Sequence, residues 1–279
     1  MRQLIVTADD FGAALAVNEA VEEAHVAGVL SAASLMVAAP AAADAVERAR
    51  RLPSLKVGLH LVLVEGAPAS DPADIPDLVG RDGRLRTDLA ALGADIFFKP
   101  QVRAQLEREV LAQFEAFAAT GLPLDHVNTH KHYHLHPTVL SAILRIGPRF
   151  GLRAMRAPVE PRAVLARAEP GGARQPAWAT APWAALGRRR IRRAGLAAAD
   201  QVFGLQWSGG MTAGRLRSLL RCLPAGLSEV YLHPAKAAAW PGSAPGYGYL
   251  EEFRALTDPE VAAAVRAEDV RLGGYADFA

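Results

Sequence analysis

Hydrophobic positions along this chain switch between the alternation of a half-buried strand and the three-to-four spacing of an amphipathic helix. Residues 3–7 are a short β-rich run that leads into Asp9-Asp10. Leu15–Ala27 spaces Val17, Val21 and Ala24 along one helical face. Residues 33–38 are strand-like, and 41–51 are Ala-rich and helical. Residues 55–63 form a strand pattern that contains His60. Residues 101–120 make a strong amphipathic helix, stopped by Gly121 and Pro123. Residues 124–129 predict another strand, 137–150 a helix with proline in its first turn, and 152–156 a further strand.

Strands separated by helices imply parallel pairing with right-handed crossovers. The number of units predicts an α/β fold: an irregular (β/α) TIM-like barrel forming a single domain over 1–279. An open doubly wound sheet is the alternative. The rhythm breaks at 161–199, a stretch rich in Ala, Arg, Pro and Gly. It carries Trp178, Trp183 and the run Arg188-Arg189-Arg190-Ile191-Arg192-Arg193. This stretch reads as an insertion on the barrel. The rhythm resumes with a strand at 201–207, a helix at 212–222, a strand at 229–233, a loop at 234–248 and a helix at 250–256. A last strand is expected at 270–275.

Composition narrows the class. Of 279 residues, 51% are hydrophobic and 22% charged, which is globular rather than disordered. A net charge of +2 gives no electrostatic case for nucleic acid. The single cysteine, Cys222, excludes an internal disulfide and a Cys-rich metal site. The N-terminal apolar run is too short for a signal-peptide core, and no stretch is long and apolar enough to span a bilayer. A cytoplasmic protein is the expectation.

The candidate chemistry sits at the C-terminal ends of predicted strands, where barrel active sites are built. Asp9-Asp10 follows the first strand, and His60 lies in the third. Five of the eight histidines fall between His126 and His136. His233 ends a later strand. On an extended segment, His130, His132 and His134 share a face and can converge. Neutral imidazole and carboxylate are ligands for divalent metal. Two adjacent acids can divide labour, one binding metal and the other taking a proton from water. Asp9-Asp10 also reads as an N-cap of the following helix, and His60 and His233 as satisfied core histidines.

Four ordered motifs resemble the YdjC-like carbohydrate deacetylases: Thr7-Ala8-Asp9-Asp10-Phe11-Gly12, Gly58-Leu59-His60-Leu61, His126-Val127-Asn128-Thr129-His130-Lys131-His132 and Leu232-His233-Pro234. The resemblance runs from the first strand to about Thr257. Within that family, Lys131-His132-Tyr133-His134-Leu135-His136-Pro137 is most similar to the branch associated with hopanoid biosynthesis. The resemblance implies a barrel that removes acetyl groups from N-acetylated amino sugars. It implies Asp10, His60 and His130 as ligands of one divalent metal ion, zinc, magnesium or another transition metal. Asp9 is then the general base and His233 the general acid. His132, His134 and Arg156 are expected to bind substrate or to support these groups. The family usually has Asp-Ser where this chain has Asn128-Thr129, which leaves position 128 without a carboxylate.

The branch implies a lipid-linked substrate, a hopanoid with an N-acetylglucosaminyl headgroup. Residues 178–193 then become a candidate membrane-surface contact at the inner face of the membrane, with aromatics in the headgroup region and arginines on anionic lipid. The rival readings are a deacetylase of soluble chitooligosaccharides, a metal-dependent phosphoesterase and a non-catalytic carbohydrate- or lipid-binding barrel.

Overall fold

The computed structural model describes residues 1–172 and 181–278. The chain opens with β1 (Arg2–Phe11), α1 (Leu15–Ala27), β2 (Ala32–Leu35), α2 (Ala42–Arg51) and β3 (Lys56–Leu61). A long loop leads to α3 (Leu89–Phe98) and α4 (Pro100–Ala119), then β4 (Val127–Thr129) and a 3-10 turn at His130–Leu135. After α5 (Pro137–Ile146) come α6 (Arg162–Ala168), α7 (Ala181–Arg193), β5 (Gln201–Phe203), α8 (Ala213–Cys222) and β6 (Gly226–Leu232). The chain finishes with α9 (Tyr249–Thr257), α10 (Pro259–Ala267) and β7 (Val270–Leu272).

Every strand pair is parallel, in the order β4-β3-β2-β1-β6-β5. β6 occupies one edge of β1 from Arg2 to Ala8. β2 and β7 therefore share the other edge, β7 at Arg2–Leu4 and β2 from Thr7 onward. The sheet curves into a half-barrel, and the segment 153–159 spans its two outer strands. Val127 of β4 donates to Ala154 O at 3.0 Å and accepts from Arg156 N at 3.0 Å. Val202 of β5 donates to Val159 O at 2.9 Å. These bonds join both outer edges, so the sheet is not the open doubly wound alternative. The expected strand at 152–156 is reduced to isolated bridges at Ala154 and Met155.

Strand alternation sorts the sheet into two faces. On β1, Leu4, Val6 and Ala8 join the large core beneath the helices. Ile5 joins a small interior cluster with Val202, Tyr231 and Tyr275. Thr7 and Asp9 share the parity of Ile5. The same parity on β3 gives Gly58 and His60, on β4 Asn128, and on β6 Glu229 and Tyr231. The barrel interior is thus the polar face of the sheet, and buried polar groups there must find partners.

The region 161–199 contains α6 and α7 on either side of the undescribed residues, among which Trp178 lies. On α7, Arg188 donates to Asp200 O. Arg190 reaches Ser141 Oγ at 2.8 Å, and Arg192 reaches Asp200 Oδ1 at 2.8 Å. Three of its arginines therefore tie the helix to the protein. Trp183 and Leu186 remain exposed. No described helix is long and apolar enough to cross a membrane.

Candidate active site and metal centre

The two acids of β1 reach the same site because the strand breaks its own alternation. Adjacent strand residues ordinarily face opposite sides. Between Ala8 and Phe11 the register with β2 shifts, and Asp10 takes a left-handed φ of 61°. That bulge turns Asp10 toward the mouth beside Asp9, and bulges recur next to active sites. Neither acid caps the next helix: the N-cap of α1 is Ala14, with no side-chain cap.

Asp10 Oδ1 lies 3.3 Å from His60 Nε2 and 3.3 Å from His130 Nδ1, and the two nitrogens are 3.4 Å apart. This near-equilateral triangle is the one group of three possible ligands among the described residues. A tetrahedral ion bound at about 2.0–2.1 Å spaces its ligand atoms by about 3.3–3.4 Å. Asp10 Oδ1 is buried with no hydrogen-bond partner. Buried acceptors are rarely left so, and a cation supplies what this oxygen lacks. The residues present fit a divalent metal.

Asn128 fixes which nitrogen His60 offers. Its Nδ2 donates to Asp9 Oδ1 and to Ser34 Oγ, both at 2.9 Å. Its Oδ1 therefore faces His60 Nδ1, at 2.6 Å. An oxygen acceptor there requires Nδ1 to carry the proton, so Nε2 presents a bare lone pair to the triangle. The amide at 128 orients His60 without a carboxylate.

Asp9 is almost fully buried and is gripped by Arg156. Arg156 Nη1 lies 2.5 Å from Asp9 Oδ2, and Nη2 lies 3.0 Å from Oδ1. The guanidinium also reaches Glu229 Oε1, from Nε at 3.0 Å and Nη2 at 2.8 Å. Burial pushes the Asp9 carboxyl up, but the Arg156 guanidinium outweighs it and holds the group well below the usual carboxylate range. Asp9 is thus ionised at any working pH. Arg156 does not open onto the cavity; its contact is with the acids.

The histidine cluster does not form one ligand set. His130–Leu135 is a 3-10 turn, not an extended segment, and Lys131 and His132 have left-handed φ values of 53° and 52°. His132 faces the cavity and meets Tyr231 Oη at 2.9 Å. His134 lies beneath, with Nδ1 on Thr129 Oγ1 at 2.7 Å. Burial and the nearby Arg156 charge lower the His134 value to about 3, and burial keeps His132 neutral too. His126 lies deeper, between Asp125 and Ser34.

A cavity of about 660 Å³ opens over these groups. Asp9, Asp10, His60, His130, His132 and His233 all line it. His233 follows β6, and its main-chain N–H donates to Glu252 at 2.5 Å. Its ring Nδ1 is buried and unpartnered, 3.9 Å from the same carboxylate. An aromatic wall continues from His233 to Tyr247 at 5.3 Å between ring centroids, then Tyr249 at 5.6 Å and Trp240 at 4.4 Å. Flat aromatic faces of this kind suit the apolar faces of sugar rings. The sequence reading left Asn128 without a role and missed Glu229, Tyr231, Glu252 and this wall. For Glu229 and Tyr231 the signal was present: each keeps the strand parity of His233.

Residues 3–267 match the YdjC-like protein family. The chain belongs to that family. A relative named carbohydrate deacetylase, from Geobacillus stearothermophilus, is 32% identical over 99% of this chain and 98% of its own length. Another of that name, from Brevibacillus brevis, is 40% identical over 148 residues, 53% of this chain and 56% of the relative. The crystal structure of a candidate cellobiose-phosphate cleavage protein from Enterococcus faecalis V583 superposes with a TM-score of 0.78. That match has 23% identity and covers 100% of this chain and 99% of the other, so it bears on the fold. The family match covers all of the residues that line the cavity.

Proposed function

We propose that this chain is a metal-dependent carbohydrate N-deacetylase, with Asp10, His60 and His130 as metal ligands, Asp9 as general base and His233 as general acid. The observation that carries the reading is the triangle of three ligand atoms with the ionised Asp9 beside it in one cavity. Relatives named carbohydrate deacetylase supply the reaction class. A divalent cation in the triangle would polarise the acetyl carbonyl and make a water more acidic.

The chain's own groups then have defined tasks. Asp9 takes the proton of the water that attacks the amide carbon. Arg156 keeps Asp9 in the ionised form, which is the form that can accept that proton. His233 delivers a proton to the departing nitrogen, because an amide nitrogen leaves poorly as an anion. Glu252, whose carboxyl is pushed up by burial, lies behind His233. His132 and the aromatic wall hold the sugar over these groups. A single group of three ligands among the described residues supports a one-metal site over the two-metal arrangement of many phosphoesterases.

Acetate release from N-acetylglucosaminyl oligosaccharides, with and without chelator, tests the reaction. Asp10→Ala and His130→Ala are expected to lose metal and activity together. Asp9→Asn is expected to keep metal while turnover falls by about a hundredfold or more. Full turnover in Asp9→Asn would remove the assignment of the base.

The finer reading is a lipid-linked substrate, a hopanoid bearing an N-acetylglucosaminyl headgroup, met at the inner face of the membrane by a cytoplasmic enzyme. It rests on the likeness of Lys131-His132-Tyr133-His134-Leu135-His136-Pro137 to the hopanoid-associated branch, with 161–199 as an insertion that contacts lipid. Trp183, 53% exposed, and Leu186, 45% exposed, offer apolar contact on α7. Liposome flotation checks it: replacing both by Ser is expected to release the protein from vesicles. Equal flotation of parent and variant would sink the membrane contact.

A further inference from the structure

We propose that Tyr275 is a positioning residue for Asp9, acting from inside the barrel beneath the site through two hydrogen-bonded arms that meet at the Asp9 carboxylate. The inference rests on Asp9 being the base of the proposed deacetylation. Tyr275 lies beyond residues 3–267, the part of the chain that matches the family.

The first arm starts at the phenol. Tyr275 Oη donates to Glu229 Oε2 at 2.7 Å. Glu229 Oε1 accepts from Thr7 Oγ1 at 2.8 Å and from Arg156, which in turn holds both oxygens of Asp9. The second arm starts at the main chain. Tyr275 N and Ala276 N donate to Asp125 at 3.2 Å and 2.9 Å. Asp125 Oδ2 meets His126 Nδ1 at 2.9 Å, and His126 Nε2 meets Ser34 Oγ at 2.9 Å. Ser34 accepts from Asn128 Nδ2, which also donates to Asp9 Oδ1.

The donors run in a single consistent sense. With Asp125 ionised, His126 Nδ1 carries a proton, and its Nε2 accepts from the Ser34 hydroxyl. The Ser34 oxygen then accepts from Asn128. Tyr275, Glu229, Arg156, Ser34, His126 and Asn128 are all fully buried. Burial this deep keeps bulk solvent from replacing a lost partner, so each bond constrains the next. A carboxylate gripped by a fixed guanidinium and a fixed amide has one orientation. The Tyr275 phenol anchors Glu229, the root of the guanidinium arm. Without it Glu229 is free to turn, and Arg156 shifts against Asp9.

Tyr275→Phe removes the hydroxyl alone and tests the link in the full-length, metal-loaded chain. With N-acetylglucosaminyl oligosaccharide as probe, kcat is expected to fall about tenfold, the lower end for groups supporting a metal site. KM and bound metal per chain are expected to stay at parent values. In the Asp9→Asn background the same change is expected to have no effect on kcat, because the group it acts through is gone. A purely structural role would give the same fractional loss in both backgrounds, and that result overturns the proposal, as does an unchanged kcat. A readout independent of turnover is the Asp9 side-chain carboxyl ¹³C resonance, assigned by its loss in Asp9→Asn. Tyr275→Phe is expected to shift or broaden it, and an unchanged signal overturns the link. If that signal moves while the parent releases no acetate, the deacetylase reading fails and the positioning stands. Should Tyr275→Phe not fold, Glu229→Gln is measured in the same way, with the same outcomes deciding.

Discussion

Asp9 and Asp10 are neighbours in sequence with opposite surroundings. Asp9 receives donors from Arg156 and Asn128, whereas the Oδ1 of Asp10 receives none and faces two imidazoles. That contrast makes Asp9 a held anion and leaves Asp10 Oδ1 open to a cation, and the left-handed backbone at Asp10 makes it possible. Asn128 links the two halves, since one amide both donates to Asp9 and sets the proton of His60. Asn128→Leu is expected to weaken metal binding by about 10- to 100-fold, the usual effect of removing a ligand's orienting partner. Titration of the metal-free protein with zinc, read by competition with a chromophoric chelator, checks it. Affinity equal to the parent would show that His60 needs no such partner.

At the scale of elements, strand parity decides what faces the barrel interior. Gly58 on β3 illustrates the packing there: a Cβ built on it would lie 2.5 Å from the His126 ring. Gly58→Ala is expected to destabilise by about 1–3 kcal/mol through overpacking, read as a lower urea midpoint. A midpoint unchanged from the parent would show that His126 has room to move. The same periodicity made most elements legible. α1 matches its expected bounds, and α2, α4 and α8 lie within a residue of theirs. α10 escaped notice although its signals are local: Asp258 caps Glu260 N and Val261 N, with Pro259 in the first turn. α3 was missed because no strand-like run separates it from α4, and α6 because it falls in the Ala-, Arg-, Pro- and Gly-rich stretch where the rhythm breaks. The histidine segment was misread as potentially extended, since left-handed Lys131 and His132 carry no sequence mark.

For the whole molecule, the sequence yielded the parallel α/β plan and the residues that meet at the triangle. It did not yield the joining of the outer strands by 153–159, which depends on main-chain bonds between distant segments. Nor did it yield the buried network, in which Tyr275 and Asp9 meet only through tertiary structure. Asp125 gives that network a pH dependence. Burial raises its value, but His126 and the N–H groups of Ala276 and Tyr275 outweigh this and lower it. A lowered carboxyl contributes stability above its unfolded value and loses it as pH falls through the folded one. Asp125→Asn is therefore expected to destabilise by about 2 kcal/mol near neutral pH, on the scale of bonds to a charged group. The gap to the parent should close as pH falls below about 4. Urea unfolding at several pH values checks it, and a gap independent of pH would place the effect in packing.

β7 lies against β1, the strand that carries both acids, and Tyr275 follows directly after it. During synthesis, β1 leaves the ribosome long before its neighbour exists. A nascent chain that stops short of β7 already contains every ligand of the triangle, yet nothing anchors the roots of the two arms. A chain clipped before β7 would keep Asp10, His60 and His130 but lose the Tyr275 and Ala276 contacts on which both arms behind Asp9 rest.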